Sequence, residues 1–240
     1  MSQVTIGMPL YEGCTLLDFV GATEVFRWAG GYNVLWLSTD LNPVATTSDA
    51  RVLPHKRFAD ALAGETKIDT LFIPGGGDAV AKTMFDTNYI GFLQGIAPRC
   101  AWVGSICTGA FLLATAGLLD GCRATTYWSQ IENLALFPNL CVESGYPRWV
   151  IDEGHHRFTG GGVSSSIDLA LELVQRWQGM KQRQITQLGL QYAPDPPIPP
   201  SGDPCNAPLS IVTEVLDGQA RFIADYRSAV EKIILGQSSL

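Results

Sequence analysis

An uncharged, mostly apolar stretch between Arg99 and Asp120 constrains this chain more than any other segment. Its length alone, about that of a bilayer-spanning helix, would allow a membrane segment. Its internal character argues otherwise. Gly104, Ser105, Thr108, Gly109, Thr115 and Gly117 dilute the apolarity, and no basic cluster flanks it. The residue preferences change halfway, from β-favouring Trp102-Val103 to helix-favouring Ala110-Phe111-Leu112-Leu113. The segment therefore reads as a buried strand that turns sharply into a helix running from about Ala110 to Leu119. Small residues are needed on both sides of such a turn, and Ser105 and Gly109 each stand two positions from Cys107. Two readings of Cys107 stay open on position alone. It is a nucleophile on an elbow, its thiolate favoured by the following helix dipole, or a buried structural thiol.

The rest of the chain fits that unit into an α/β domain. Val4 to Met8, Tyr32 to Ser38 and Thr70 to Ile73 read as strands, and Leu16 to Trp28 as a helix with Leu17, Val20, Val25 and Trp28 as its buried stripe. Pro74-Gly75-Gly76-Gly77 ends the third strand, with a helix from about Asp78 or later. Arg123 to Trp128 gives a short strand and a helix start. Trp149 to Ile151 and Arg157 to Thr159 form a hairpin. A helix from about Ser164 to Trp177 follows Gly160-Gly161-Gly162, with serine available as its cap. The glycine run itself reads as a packing turn. Alternation of strands and helices predicts a mostly parallel sheet with helices on both faces. Residues 1–190 form the expected catalytic domain. Residues 191–240 are a proline-rich arm, Tyr192 to Pro208, and a last helix from about Leu209 to Leu235, packed on the same domain or on a dimer partner.

With 46% hydrophobic and 16% charged residues the chain is globular, and a formal charge of −7 disfavours binding to a phosphate backbone. Met1 to Ile6 lacks a basic, apolar leader, and the six cysteines contain no C-x-x-C pair. Reduced thiols in a cytoplasmic protein are the expectation, with neither a disulfide frame nor a metal site.

Ligands of open parallel sheets bind at the carboxyl ends of the strands. The loop toward Asp18, the Pro74–Gly77 turn and the Cys107 elbow would meet there. The glycine turn lets backbone N–H groups approach a developing negative charge, although alone it is an ordinary strand-to-helix turn. No Gly-Lys-Ser/Thr follows it, which excludes a P-loop. The only histidines, His55, His155 and His156, fall in segments that read as solvated loops, so a Cys–His pair is poorly supported. Asp18, set among Leu16, Leu17, Phe19 and Val20, has two readings: a charge favouring the helix dipole, or a buried carboxyl kept protonated beside the thiol.

The P-G-G turn, the S-I-C-T-G elbow, A-T-T-Y-W at 124–128 and T-G-G-G with the following I-D-L-A-L together resemble the PfpI/ThiJ-like superfamily, related to class I glutamine amidotransferases. Leu17-Asp18, G-L-L-D-G-C-R-A-T-T at 117–126 and Leu190-Gln191-Tyr192-Ala193-Pro194 are similar to its isocyanide-hydrating members, a likeness spanning about 4–215. The resemblance implies a flavodoxin-like homodimer acting on a small molecule. It implies Cys107 as nucleophile, Asp18 as acid/base, Thr108 as a polar contact, and Gly76, Gly77 and Thr108 around an oxyanion site, without cofactor or metal. Tyr127 replaces a histidine found in many relatives. Alternatives in the same superfamily are amidase-, deglycase- or glyoxalase-like enzymes and a cysteine redox sensor. A transcription regulator is disfavoured by the acidic charge and the missing helix-turn-helix.

Overall fold

The computed structural model describes residues 3–198 and 201–237. Met1, Ser2, Pro199, Pro200 and the last three residues, on which parts of the leader and proline-arm readings fall, lie outside the described residues.

In chain order the elements are β1 (Val4–Pro9), α1 (Leu16–Ala29), β2 (Tyr32–Ser38), β3 (Val44–Ala45), β4 (Arg51–Val52), β5 (Lys56–Arg57), α2 (Phe58–Leu62), β6 (Thr70–Ile73), α3 (Ala79–Thr83) and α4 (Thr87–Ile96). They continue with β7 (Trp102–Ser105), α5 (Gly109–Thr115), β8 (Arg123–Ala124), α6 (Ile131–Leu134), β9 (Cys141–Val142), β10 (Trp149–Asp152) and β11 (Arg157–Gly160). α7 (Ser165–Gln178), α8 (Met180–Gly189), α9 (Leu209–Gly218) and α10 (Ala220–Ile234) complete the chain.

Seven strands form one sheet in the order β10-β11-β7-β6-β1-β2-β5, parallel except for the antiparallel β10–β11 edge. This is the flavodoxin-like arrangement. Every residue of β6, Thr70-Leu71-Phe72-Ile73, is buried, as a parallel strand covered on both faces requires. Phe26, Phe72, Phe111 and Phe158 are fully buried in the core. α1, α7 and α8 pack on one another, while α10 packs on α3 and α6.

The chain resolves several sequence expectations differently. In α1 the buried face is Asp18, Phe19, Ala22, Val25, Phe26 and Ala29, whereas Leu17 and Trp28 are 43% and 55% exposed. A buried carboxyl at Asp18 rotates the helix away from the stripe that hydrophobicity alone selects. α5 ends at Thr115, and Gly117 at φ +73° starts a turn in place of the last helical residues. Ser164 makes no cap hydrogen bond from its side chain; Ser165 instead donates its hydroxyl to Gly162 O at 3.1 Å. The long C-terminal helix is two helices, broken at Gly218-Gln219. Among the described residues of the proline-rich arm there is neither helix nor strand. The Arg99–Asp120 stretch is β7 and α5, and among the described residues no helix is long and apolar enough to cross a membrane.

Candidate active site

Three loops at the carboxyl ends of β1, β6 and β7 converge on the peptide of Gly75. Its N–H donates to Asp18 Oδ2 at 2.8 Å, and its carbonyl accepts from the Thr15 N–H at 2.8 Å. On its other side a Cβ at position 75 would lie 2.7 Å from Thr108 N and 2.9 Å from Cys107 Cβ. Only glycine lets the first helix and the elbow come this close. Asp18 and Cys107 thus stand on opposite sides of one glycine, with no hydrogen bond between them among the described residues.

The elbow is as tight as the sequence implies. Cys107 has φ +55°, the left-handed region, which costs a non-glycine residue about 1–3 kcal/mol and persists where surrounding contacts enforce it. Those contacts are visible. The Cys107 N–H donates to Gly160 O and Gly161 O at 3.0 and 2.9 Å, and its carbonyl accepts from Thr126 Oγ1 at 2.8 Å. The glycine run after β11 therefore clamps the elbow besides serving packing. A Cβ on Gly162 would meet the Tyr127 ring at 2.5 Å.

Burial governs the electrostatics. Asp18 is completely buried, and desolvation raises its pKa from 3.8 to about 8, opposed only by the Gly75 N–H bond. Its Oδ1 is buried with no partner, as suits a carboxyl retaining its proton. Burial first, and then the Asp18 charge, push the Cys107 thiol well above its usual range. The N–H and hydroxyl of Thr108 oppose this but do not outweigh it. Burial thus works against the thiolate that the helix dipole favours.

Thr108, buried beside the sulfur, accepts from the Gly76 N–H at 3.1 Å through Oγ1. That donor is engaged within the protein in this closed arrangement. Gly77, at φ +23°, accepts at its carbonyl from Tyr226 Oη at 2.7 Å. Tyr226 comes from α10, is fully buried, and feels both the Thr108 hydroxyl and Cys107. Tyr11 mirrors it on the other flank, donating to Pro74 O at 3.1 Å. Neither tyrosine was distinguishable from sequence. Tyr226 lies in an ordinary amphipathic helix 119 positions from the cysteine it neighbours, and Tyr11 in a loop without a motif. A cavity of about 380 Å³ adjoins the elbow, walled by Thr126, Tyr127, Trp128, Gly161 and Gly162. Tyr127 accepts there from Gln219 Nε2 at 3.0 Å.

The histidines lie in loops, as expected, yet each has a fixed partner away from Cys107. His55 accepts from the Trp36 N–H, His155 meets Asp152 at 3.0 Å, and His156 packs on Trp102.

A strand–elbow–helix cysteine over a mostly parallel sheet defines a class, and the comparisons place the chain in it. The DJ-1/PfpI family model matches residues 4–176, and the chain belongs to that family. It is 34% identical to the isonitrile hydratase of Pseudomonas putida over 209 residues, 87% of each chain. It is 28% identical over 182 residues to the HTH-type transcriptional regulator GbdR of Pseudomonas aeruginosa, covering 73% of this chain and 47% of the regulator. The crystal structure of a THiJ/PfpI family protein from Pseudomonas syringae superposes with a TM-score of 0.87 at 28% identity, covering 96% of this chain and 91% of that one.

Proposed function

We propose that this chain is a cysteine-dependent isocyanide (isonitrile) hydratase, converting R–N≡C and water to an N-substituted formamide without a cofactor. The observation that carries the reading is the buried Asp18 carboxyl, held protonated to about pH 8 across one glycine from the strained Cys107. An isocyanide carbon must receive both a nucleophile and a proton, and this pair supplies one of each. The likeness to the Pseudomonas putida enzyme supports the substrate class. The lack of a histidine among the described contacts of Cys107 weighs against amidase-like chemistry, and burial of the sulfur weighs against a peroxide sensor.

The reactive form of the pair carries one proton. Sulfur attacks the isocyanide carbon, the S–C bond forms, and Asp18 delivers its proton to that carbon, giving R–N=CH–S–Cys107. The Asp18 carboxylate then takes a proton from water while the hydroxide adds to the same carbon, and passes that proton to nitrogen. Finally the hydroxyl proton returns to Asp18 as the C–S bond breaks, releasing R–NH–CHO and restoring the pair with its one proton. The Thr108 N–H and hydroxyl, which already face the sulfur, stabilise it as it leaves. Gly76 and Gly77 shape the glycine turn beside it, and the Gly76 N–H, donating to Thr108 Oγ1, holds that hydroxyl beside the sulfur.

Exposed apolar residues Leu17 and Trp28 on α1 and Ile185 and Leu188 on α8 support a homodimer, and the reading places the enzyme in the cytoplasm. The test is formamide release from a simple aliphatic isocyanide, with mass analysis of the protein quenched during turnover. A thioimidate adduct on Cys107 is expected. No turnover with isocyanides alongside turnover of amides or 2-oxoaldehydes would overturn the reading.

A further inference from the structure

A second constellation of chemistry-bearing side chains lies at the opposite end of the strands, where β10 turns into β11. Arg157, which opens β11, pairs with Val103 near the start of β7, whereas the elbow follows the far end of that strand. Here Cys122, Asp152 and His155 bring a thiol sulfur, a carboxylate oxygen and an imidazole nitrogen within 4.8 Å of one another. We propose that Cys122, Asp152 and His155 form a binding site for a borderline-soft divalent cation of the zinc type, outside the catalytic centre.

The donor set selects the ion. Thiolate and imidazole are zinc and cobalt ligands, whereas calcium and magnesium take oxygen. A thiolate, a carboxylate and a neutral imidazole also balance a 2+ charge. Tetrahedral zinc with bond lengths of about 2.0–2.3 Å places its ligand atoms about 3.3–3.6 Å apart. From an observed spread of up to 4.8 Å the cluster needs to contract by about 1.2–1.5 Å at its widest pair. The two inner ligands are already fixed. Cys122 is 2% exposed, and its sulfur has only a long contact, 3.6 Å, to Asp120 O. Asp152 is oriented by the Arg123 N–H at 2.9 Å on Oδ2 and the His155 N–H at 3.1 Å on Oδ1, contacts of the kind that hold a metal-binding carboxylate in place. The exposed ligand is His155, whose Nδ1 lies 3.0 Å from Asp152 Oδ1 and would exchange that contact for the cation. His155 sits on the hairpin turn with its ring over Gly121, where a Cβ would come 3.6 Å from Nε2. Its exposed side leaves a fourth position for water. Arg123 pairs with Glu143 at 2.5 Å and Arg157 Nε donates to Leu118 O at 2.8 Å, yet Arg157 also acts on the Cys122 thiol and Arg123 on Asp152, so the cation binds against two neighbouring guanidinium groups.

Titration of the reduced, metal-free 240-residue chain with Co²⁺ tests the site, because a thiolate–cobalt bond gives a near-ultraviolet charge-transfer band and a tetrahedral site gives intense visible bands. We expect saturation at one equivalent, displacement by Zn²⁺, and a higher Tm with excess Zn²⁺. Cys122→Ser should abolish the charge-transfer band, and the surface variant His155→Ala should weaken binding at least about tenfold, the usual scale for losing one ligand contact. Cys107→Ala and Cys141→Ser should leave the titration unchanged. A wild-type chain that gives no charge-transfer band, or a band that survives Cys122→Ser or is lost with Cys141→Ser, would overturn the proposal. The readout needs no isocyanide turnover, so it stands or falls apart from the catalytic reading.

Discussion

Cys14 and Cys107 are both buried in loops that leave parallel strands, and they border adjacent glycines, Cys14 at Gly76 and Cys107 at Gly75. Asp18 raises both thiols in addition to the larger effect of burial, Cys14 to about 12 and Cys107 well above its ordinary value. Thiol acidity therefore does not separate them. Backbone and donors do. Cys14 makes an unstrained bridge to Thr46, and its sulfur faces the backbone N–H groups of Tyr11 and of Cys14 itself, with no hydroxyl donor among the described residues. Cys107 is held at φ +55° and faces both the N–H and the hydroxyl of Thr108. The proposed mechanism makes Cys107 the nucleophile because the strained elbow and the Thr108 hydroxyl set it apart from Cys14, not because its pKa is lower.

The sharpest way to break this comparison is to remove each sulfur in turn. Cys107→Ala should lower isocyanide turnover by about 10³-fold or more, the scale for deleting a covalent nucleophile. Cys14→Ala should leave the rate within about threefold and cost about 1–2 kcal/mol of stability in a denaturant melt through the small cavity it opens. The opposite pattern would make Cys14 the reactive thiol.

Asp18 stands between the two, and its substitution separates catalysis from stability. Asp18→Asn should reduce turnover by about 10²–10⁴-fold, as expected for losing a positioned acid/base. The stability effect has the opposite sign. A carboxyl raised from 3.8 to about 8 in the folded chain binds more protons folded than unfolded between those values. Stability from this group is therefore full below about pH 4 and falls as pH rises toward 8, by up to about 1.4 kcal/mol per pH unit. His55, lowered by burial, contributes an opposing rise through pH 6.5 in both proteins, so the difference between them isolates Asp18. Urea unfolding at pH 5 and pH 8 should show Asp18→Asn gaining on the wild type as pH rises; parallel curves would mean Asp18 is ionised when buried. Turnover should rise through about pH 8 as the pair loses its first of two protons.

Gly75→Ala probes what keeps these side chains in register. The added Cβ would sit 2.7 Å from both the N and Oγ1 of Thr108. Since backbone must give way, about 1–3 kcal/mol of stability should be lost, with a turnover loss of about tenfold or more. Full activity would show that the two flanks need not be held this tightly.

The elbow was legible because its requirements are local. Small residues must flank Cys107, and an apolar strand and helix must enclose it, so the constraint is written into consecutive positions. The parallel strands were equally legible, since β6 is a short uninterrupted apolar run. Asp18 was visible as an acid among apolar neighbours, and its burial was one of two readings that the sequence left open. The hydrophobic stripe that includes Leu17 and Trp28 is physically reasonable for an isolated helix and loses only because Asp18 faces the Gly75 N–H. The break between α9 and α10 rests on Gly218-Gln219 within an otherwise continuous helical pattern. Tyr11 and Tyr226 were invisible because their roles depend on which carbonyls the fold places opposite them.

Those two tyrosines provide the finest test, since one closes each flank. Tyr11→Phe frees the Pro74 carbonyl and Tyr226→Phe frees the Gly77 carbonyl. Each should cost about 1–3 kcal/mol, the penalty for leaving a buried acceptor unpaired, read as a lower urea midpoint with unchanged m-value. Equal stability losses need not mean equal effects on the thiols. Tyr226 contacts the Thr108 hydroxyl that also faces Cys107, whereas Tyr11 borders Cys14 through the backbone bond from the Cys14 N–H to its carbonyl. Without the Tyr226 oxygen, the Thr108 hydroxyl loses a competing acceptor and turns more fully to sulfur. Tyr226→Phe should therefore shift the pH dependence of Cys107 alkylation by iodoacetamide to lower pH and change kcat a few-fold with little change in KM. Tyr11→Phe should leave the alkylation profile where it was. If both variants move it equally, the closed site is one undifferentiated shell, and the distinction between the two cysteines rests on the strained backbone alone.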